Sequence, residues 1–268
     1  MQTGGGAAGQ FPFWLAALRF IITGAVLIIP AFCSLRRRKI SLRRNDWIIL
    51  CGLGLIGVTA MSAFFHLAIL YLPANIAALV FSCNPVFVVL FAAVILKEKI
   101  TAQKLGAAIL SLGGIIILAA ARTGAISPRG LLLMIFALLA FAVYTVLFKK
   151  AAPRYGALPI TALASLTGGL FLLPLAIGIE RWPFAAYTGV DWIGISYLAL
   201  IGTALAYFLF IYGISRVEAG IGSMTFFLKP FLAALFSWML LDETITAPIL
   251  AGGAFILAGM VVALFRNR

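Results

Sequence analysis

The sequence is poor in charge, and poorest in acidic residues. Only 10% of its 268 residues are charged and 64% are hydrophobic, whereas soluble domains carry about 25% charged residues. Because so few polar residues cannot cover so many hydrophobic ones in water, the composition indicates a protein whose solvent is the lipid bilayer. The 20 Lys and Arg outnumber 7 Asp and Glu, but they lie in short clusters between apolar runs. We therefore expect no binding of nucleic acid.

Histidine and cysteine are scarce as well. The chain has 1 His and 3 Cys, without a CxxC motif. A membrane enzyme would need His, Asp or Glu clustered at one membrane face, so we expect no enzyme activity, no metal site and no cofactor. Cys33, Cys51 and Cys83 lie in or beside apolar runs, which predicts packing residues rather than disulfides. Residues 1–10 carry no basic n-region, and no signal peptide is expected.

What the chain does have is long apolar runs. Nine are long enough to cross a bilayer, which takes about 20 residues, and short links between them make neighbouring helices antiparallel. The runs cover approximately residues 11–34, 47–71, 74–96, 103–121, 130–148, 157–179, 192–214, 219–241 and 247–265. The sequence predicts an all-α, polytopic transmembrane helix bundle.

The basic residues give this bundle an orientation. The largest cluster, residues 36–44, lies between the first two runs. The links after the third and fifth runs are also basic, while the links after the sixth and eighth runs hold four of the seven acidic residues, Glu180, Asp191, Asp242 and Glu243. Because cytoplasmic loops are enriched in Lys and Arg, we predict a multi-pass protein of the cell (plasma or inner) membrane with a cytoplasmic C-terminus.

The chain repeats itself at an offset of 145 residues. Asp46-Trp47-Ile48 meets Asp191-Trp192-Ile193, and the same offset superimposes Gly57 on Gly202, Pro85 on Pro230, Glu98 on Glu243 and Gly114 on Gly259. Coinciding Pro, Gly, Trp and Glu are hard to explain by apolar composition alone. Internal repeats of this kind are typical of transporters.

The repeat divides the chain into residues 1–121 and 122–268. The second half holds five runs, and the first holds the counterparts of the last four. Five crossings reverse the direction of the next unit, so the halves are predicted to be inverted relative to each other. We therefore expect inverted five-helix repeats, with nine helices of a ten-helix arrangement present and the first lacking.

Three features together resemble the EamA-domain family of the drug/metabolite transporter superfamily. They are Arg19-Phe20 in the first run and the paired segments 73–118 and 218–263, each with a Pro inside a span, a Glu just after it and a Gly-rich span beyond. The resemblance covers essentially the whole chain. It implies a ten-helix fold and export or exchange of small metabolites, often amino acids or related compounds.

From the repeat and the resemblance we predict a carrier of a small anionic or zwitterionic metabolite that works by alternating access. Its expected partners are the small-molecule substrate and the lipid bilayer, and it is expected to be a monomer or homodimer. Two alternatives remain open. One is a channel, which would need rings of charge or a filter loop. The other is a truncated or non-transporting membrane subunit.

Lys229 is the first candidate for substrate binding. It lies near the middle of a span beside Pro230, and its counterpart at the repeat offset is Asn84 beside Pro85. Both prolines are predicted to break their helices, because proline leaves a carbonyl without its usual donor. Lys229 either binds an anionic substrate or caps the carbonyls freed by Pro230. An ionisable group at such depth costs at least about 2.5 kcal/mol, which favours a function.

Arg19 and His66 are the next candidates. Arg19 lies about two turns inside the first run, where it either pairs with an anionic substrate or bonds to carbonyls of a neighbouring helix. His66 either titrates or packs as a hydrogen-bonded residue. Neither Asp nor Glu lies at mid-depth in any run, which argues against a carboxylate proton relay.

Aromatic residues and two glutamates complete the set. Tyr144, Tyr207 and Trp238 lie in spans, where such residues mostly pack or form interfacial belts, and we expect one or two to line a cavity. Glu98 and Glu243 follow spans directly. We interpret them as partners of helix ends or of interfacial ion pairs.

Overall fold

The computed structural model describes residues 11–120, 127–182, 187–241 and 247–264. Within these ranges the chain forms nine helical spans, which match the nine predicted runs and confirm the all-α fold. They are α1 Pro12–Arg37, α2 Arg44–Ile69, α3 Ala74–Ser82 followed by Asn84–Ile95, α4 Ala102–Ala120, α5 Pro128–Tyr155, α6 Ala157–Ile179, α7 Gly189–Arg216, α8 Ala219–Ser223 followed by Thr225–Leu241, and α9 Ala247–Leu264. Six of the described helices are long and apolar enough to cross a membrane.

The ends of α1 follow from its sequence. Pro12 occupies the first turn, where a missing N–H costs nothing. The next free N–H groups, of Phe13 and Trp14, donate to the two oxygens of Glu180 at 2.9 and 3.0 Å. This carboxylate, just beyond α6, therefore caps α1 and complements its dipole. At the other end, Arg36 and Arg37 lie in the last turn, where cations are favoured.

The first turns of α2 and α7 are closed in the same way. Asp46 accepts a hydrogen bond from the backbone N–H of Arg43 at 2.8 Å. Asp191 accepts one from the backbone N–H of Thr188 at 2.9 Å. Each aspartate is the third helical residue. In α7 the Thr188 hydroxyl also accepts from the Asp191 N–H and completes a capping box, whereas Arg43 has no side-chain acceptor and α2 has only the aspartate half. The repeated Asp-Trp-Ile is thus a repeated helix start.

Both α2 and α7 also contain a π-helical stretch at the same place in the repeat. The stretches are Leu55–Ala60 and Leu198–Leu205, with Gly57 in the first and Gly202 in the second. Such widened turns are rare in α-helices and concentrate at functional sites. They extend the repeat from the sequence to the hydrogen-bond pattern of the backbone.

The described helices fall into two compact units that interleave the two halves of the sequence. Unit 1 comprises residues 1–66 and 143–216, and unit 2 comprises residues 67–142 and 217–268. Unit 1 therefore takes α1 and α2 from the first half and α6 and α7 from the second. Unit 2 takes α3 and α4 from the first half and α8 and α9 from the second. Neither unit is made from one half alone.

In unit 1 the close pair is α1 and α6. A Cβ at Gly24 would lie 2.5 Å from the Cβ of Leu166, and a Cβ at Gly169 would lie 2.9 Å from the backbone N of Ile21. Ile21 and Leu166 are counterparts at the repeat offset, and so are Gly24 and Gly169. The contact is therefore the same contact made twice with the roles of the helices exchanged, as a pseudo-two-fold axis requires.

In unit 2 the pair α4 and α9 obeys the same rule. A Cβ at Gly114 would lie 2.5 Å from the carbonyl oxygen of Gly252, and a Cβ at Gly259 would lie 2.7 Å from that of Ala107. Ala107 and Gly252 are again counterparts, as are the two glycines that face them. Small residues let these backbones approach closely, which is how membrane helices gain packing energy. The inverted repeat predicted from the sequence is confirmed within each unit.

The start of α8 in unit 2 is held by an ion-pair cluster around Lys104. This lysine is only 3% exposed, and its ammonium lies 2.7 Å from Glu218 and 3.5 Å from Glu98. Glu98 also accepts a hydrogen bond from the backbone N–H of Ala219 at 2.9 Å. The expected role of Glu98 in an ion pair and at a helix end is confirmed, whereas Glu243 lies outside the described residues.

Candidate functional site

Unit 1 brings together four of the residues singled out from the sequence. Arg19 of α1 lies within electrostatic range of both His66 of α2 and Tyr207 of α7. Tyr207 lies within the same range of Tyr144 of α5. With Ser62, described below, these residues form what we call the Arg19 cluster. Four different helices contribute to it, although in sequence its members are spread from position 19 to position 207.

The guanidinium group of Arg19 is poorly satisfied. Its Nε is buried without a hydrogen-bond partner, and Arg19 forms no ion pair with any residue that the structure describes. Its Cζ lies 4.8 Å from the centroid of the neighbouring Phe20 ring, and that ring packs edge-on against Tyr207 at 5.9 Å. A buried cation held by rings rather than by a carboxylate keeps its capacity to bind an anion.

His66 presents a second unsatisfied polar group in the cluster. Its ring lies between Phe13, at 5.6 Å, and Phe65, at 5.8 Å. Its Nδ1 is buried without a hydrogen-bond partner among the described residues. The sequence predicts that His66 is either a titrating group or a hydrogen-bonded packing residue. Its Nδ1 does not make the hydrogen bond that the second interpretation requires.

Ser62 is a member of the cluster that the sequence analysis missed. It is 1% exposed, and its Oγ is buried without a partner among the described residues. Serines in membrane helices commonly bond to the carbonyl one turn earlier, so the residue type alone carries no signal. The spacing does, because Ser62 and His66 are four residues apart and share one face of α2.

Tyr144 closes the cluster against α2. It is 1% exposed, and its ring covers Gly57 so tightly that a Cβ there would overlap the ring. Its other face packs edge-on against Phe148 at 5.8 Å. Tyr144 is thus packed directly against the π-helical stretch of α2.

The remaining candidates lie in unit 2. Lys229 is exposed, and its ammonium lies 3.7 Å from the centroid of the Phe226 ring. It donates no hydrogen bond to any described carbonyl. Phe226 packs in turn against Phe141 at 5.2 Å and Phe81 at 6.2 Å. The ammonium thus rests on an aromatic group. Within the described chain, no hydrogen bond supports the alternative in which Lys229 caps carbonyls freed by Pro230.

Asn84 occupies the break in α3. It is fully buried, and its Nδ2 donates to the carbonyl oxygen of Leu138 at 3.2 Å, while its Oδ1 is buried without a partner. The helix is interrupted at Cys83 and restarts at Asn84-Pro85, with the proline in the first turn. Asn84 therefore fastens α3 to α5 and keeps one free acceptor.

The two predicted proline breaks differ. The break in α3 directly precedes Pro85, but α8 is interrupted at Met224, and its helix then runs continuously from Thr225 to Leu241 through Pro230. A break at Pro230 itself is therefore not what the structure shows. Trp238 belongs to the same helix, and its side chain lies outside the described residues.

Comparison with protein families matches the chain to the EamA-like transporter family over residues 7–120 and 128–265. Among individual proteins, the chain is similar to an uncharacterized transporter of Clostridium kluyveri, 30% identical over 96% of this chain and 85% of that protein. It is also similar to protein PecM of Dickeya dadantii, 28% identical over 96% of this chain and 86% of that protein.

Two further similarities bear on substrate and fold. A protein of Streptantibioticus cattleyicolor named "Probable terminal-alkyne amino-acid exporter" is 27% identical over 92% of this chain and 82% of its own length. Among solved structures, one crystal structure of a protein aligns with a TM-score of 0.80 and 22% identity over 96% of this chain and 89% of that one. This structural match supports the fold alone.

Proposed function

The chain belongs to the EamA-like transporter family, and from that premise we propose that it exports a small zwitterionic or anionic metabolite, an amino acid or a related compound, by alternating access. The inverted repeat supports this mechanism, because each half can adopt the conformation of the other and so exchange an inward-facing for an outward-facing state. The amino-acid exporter among its relatives supports the substrate class.

The proposed substrate anchor is the Arg19 cluster, and the observation that carries it is the buried Arg19 Nε without a partner. A buried donor left unpaired costs about 1–3 kcal/mol, and more when it is charged. A substrate carboxylate would remove that cost by accepting from the guanidinium fork. His66 and Ser62 offer further polar atoms on the adjacent helix, and Tyr207 and Phe20 line the apolar side.

Within unit 2, Lys229 is proposed as a separate candidate for contact with an anionic substrate, and Asn84 as a second polar candidate of that unit. An exposed ammonium resting on an aromatic ring is available to an anion, because the ring stabilises the cation without neutralising it. We expect Lys229→Ala to abolish transport of anionic or zwitterionic substrates in protein that remains folded. Normal transport by this variant would remove Lys229 from the proposal.

The experiment that tests the transport proposal is counterflow in proteoliposomes. Vesicles preloaded with one unlabelled amino acid are assayed for uptake of the labelled compound across a panel of amino acids and related acids. A carrier gives saturable counterflow for at least one member, whereas a channel gives uptake without saturation. Flux indistinguishable from empty vesicles throughout the panel would favour the non-transporting subunit.

Substitutions at Arg19 then assign the site. Arg19→Gln should weaken substrate binding by about 10–100-fold, the value of a charged hydrogen bond. Arg19→Lys should be intermediate, because it restores charge without the planar fork. The control is Arg216→Gln, since Arg216 is an exposed arginine that bonds to Tyr212. If Arg19→Gln transports like the control, the cluster is not the anchor.

We further propose that the protein lies in the cell membrane with its C-terminus in the cytoplasm, as a monomer or homodimer. The support is the concentration of basic residues in alternate links. Reporter fusions at the C-terminus test the orientation: a fusion active only outside the cytoplasm would overturn it. Mass measurement of the detergent-solubilised protein separates one copy from two.

A further inference from the structure

Unit 1 contains a groove that the Arg19 cluster does not use. It lies between the first three turns of α2 and the last turns of α5, and encloses about 450 Å³. Its floor is apolar, and its lining includes Ile48, Ile49, Gly52, Leu53, Ile56 and Leu147. From Ile48 to Ile56 the groove follows about 12 Å of helix. We call it the α2–α5 groove.

One end of this groove is basic. Lys150 and Arg154 lie there, one helical turn apart on α5. Lys150 is exposed and forms no ion pair or hydrogen bond with a described residue. Arg154 is held by Asp46, with nitrogen and oxygen 2.7 Å apart, yet its side chain is 57% exposed whereas that of Asp46 is 2% exposed. The described lining of the groove therefore carries two cations, and the carboxylate that pairs with one of them is buried behind it.

The apolar floor is open to a ligand, and Gly52 is what opens it. A Cβ built at Gly52 would meet nothing within 4 Å. Ile48 and Ile49 beside it are 65% and 45% exposed. The result is a furrow beside exposed apolar side chains, which is a shape that accepts a flexible hydrocarbon chain.

We propose that the α2–α5 groove binds an anionic phospholipid, with one acyl chain along the floor and the phosphate at Lys150 and Arg154. The combination of a long apolar furrow and a basic end matches an amphiphile with a negative head. Basic pockets between membrane helices on the cytoplasmic side bind such headgroups. A lipid with a zwitterionic head gains the apolar contacts but much less from the two cations.

The proposal predicts which lipid binds and which residues select it. Purified protein in detergent is titrated with fluorescent phosphatidylglycerol, with phosphatidylcholine and inorganic phosphate as competitors. Phosphatidylglycerol should bind saturably, and neither competitor should displace it at equal concentration. Lys150→Gln should weaken binding about fivefold, the effect of one lysine near an anionic surface, and added salt should weaken the wild type in the same direction.

The floor is tested by filling it. Gly52→Leu places a side chain in the furrow and should weaken binding at least as much as Lys150→Gln. Its matched control is Gly213→Leu, because a Cβ at Gly213 also meets nothing within 4 Å and this glycine lies outside the groove. Thermal unfolding without lipid should be unchanged in both leucine variants. If Gly52→Leu unfolds, Lys150→Gln alone decides.

Three outcomes would overturn the proposal. The first is equal competition by phosphatidylcholine, which would make the groove an ordinary lipid-facing surface. The second is displacement by inorganic phosphate, which would identify a free anion as the ligand. The third is wild-type affinity in Lys150→Gln. None of these outcomes bears on the Arg19 anchor, because binding is measured without transport.

Discussion

Helices α2 and α7 are counterparts in the repeat, and they begin with the same residues, yet their surroundings differ. In α2, Gly57 lies under the ring of Tyr144, and Leu53 is 3% exposed. At the same positions in α7, Gly202 has only Leu198 of its own helix within 4 Å, and Leu198 is 36% exposed. Equal residues are thus covered in one half and bare in the other.

The difference traces to α5. In unit 1 the end of α5 covers α2, and the repeat offset places the counterpart of α5 upstream of the described residues. The face of α7 around Gly202 is therefore the face that such a counterpart would cover. A repeated sequence preserves the side chains of a contact, and within the described residues only α2 is seen with the helix that makes it.

The largest expected difference between the two helices is at the paired glycines. Gly57→Leu should destabilise the protein by about 1–3 kcal/mol or more, because the new side chain must displace the buried Tyr144. Gly202→Leu should change stability by no more than about 0.5 kcal/mol, since its site is open. Thermal unfolding of both variants in one detergent makes the comparison, and equal losses would contradict it.

The paired aspartates should differ less. Asp46 caps α2 and also accepts from the Tyr155 hydroxyl at 2.5 Å and pairs with Arg154 at 2.7 Å. Asp46→Asn should cost about 2–3 kcal/mol, since it weakens charged and capping contacts together. Asp191→Asn should cost about 1 kcal/mol, the value of the cap.

The Asp46 comparison has an internal check. Tyr155→Phe removes one hydrogen bond and leaves the cap of α2 in place. In chemical unfolding it should therefore lose only part of the stability that Asp46→Asn loses. If Tyr155→Phe costs nothing, the difference between the two aspartates does not come from the Tyr155 hydroxyl.

The smallest effect should be the same in both halves. The Thr23 hydroxyl of α1 donates to the carbonyl of Ala199 in α7 at 2.8 Å, and the Thr59 hydroxyl of α2 donates to that of Gly168 in α6 at 2.9 Å. Thr23→Val and Thr59→Val should each cost about 0.6 kcal/mol, the average for such bonds in membranes. A large inequality in urea unfolding would show that the halves differ in more than the cover of α7.

The sequence was sufficient to predict the spans and the repeat. An apolar run of about 20 residues has one stable solution in a bilayer, and α6 was predicted at its observed bounds, residues 157–179. The offset that superimposes Gly114 on Gly259 also relates two helices, α4 and α9, that the structure packs together. A long apolar run in a lipid bilayer leaves few conformations other than a transmembrane helix.

The rest depends on contacts that sequence does not carry. The π-helical stretch at Gly57 is a change in hydrogen-bond register, which hydropathy does not record. His66 comes near Arg19 only because α1 and α2 belong to one unit. The start of α8 is held by Glu98, and its interruption at Met224 carries no proline that the sequence would reveal.

The interleaving of the halves has a consequence for biosynthesis. The glycine faces of α1 and α6 fit each other, but α6 leaves the ribosome about 145 residues after α1, on the order of ten seconds later. During that interval α1 is in the bilayer without its partner, and unit 1 closes only when the second half arrives. A nascent chain stalled before α6 would therefore keep the glycine face of α1 without the helix that packs on it.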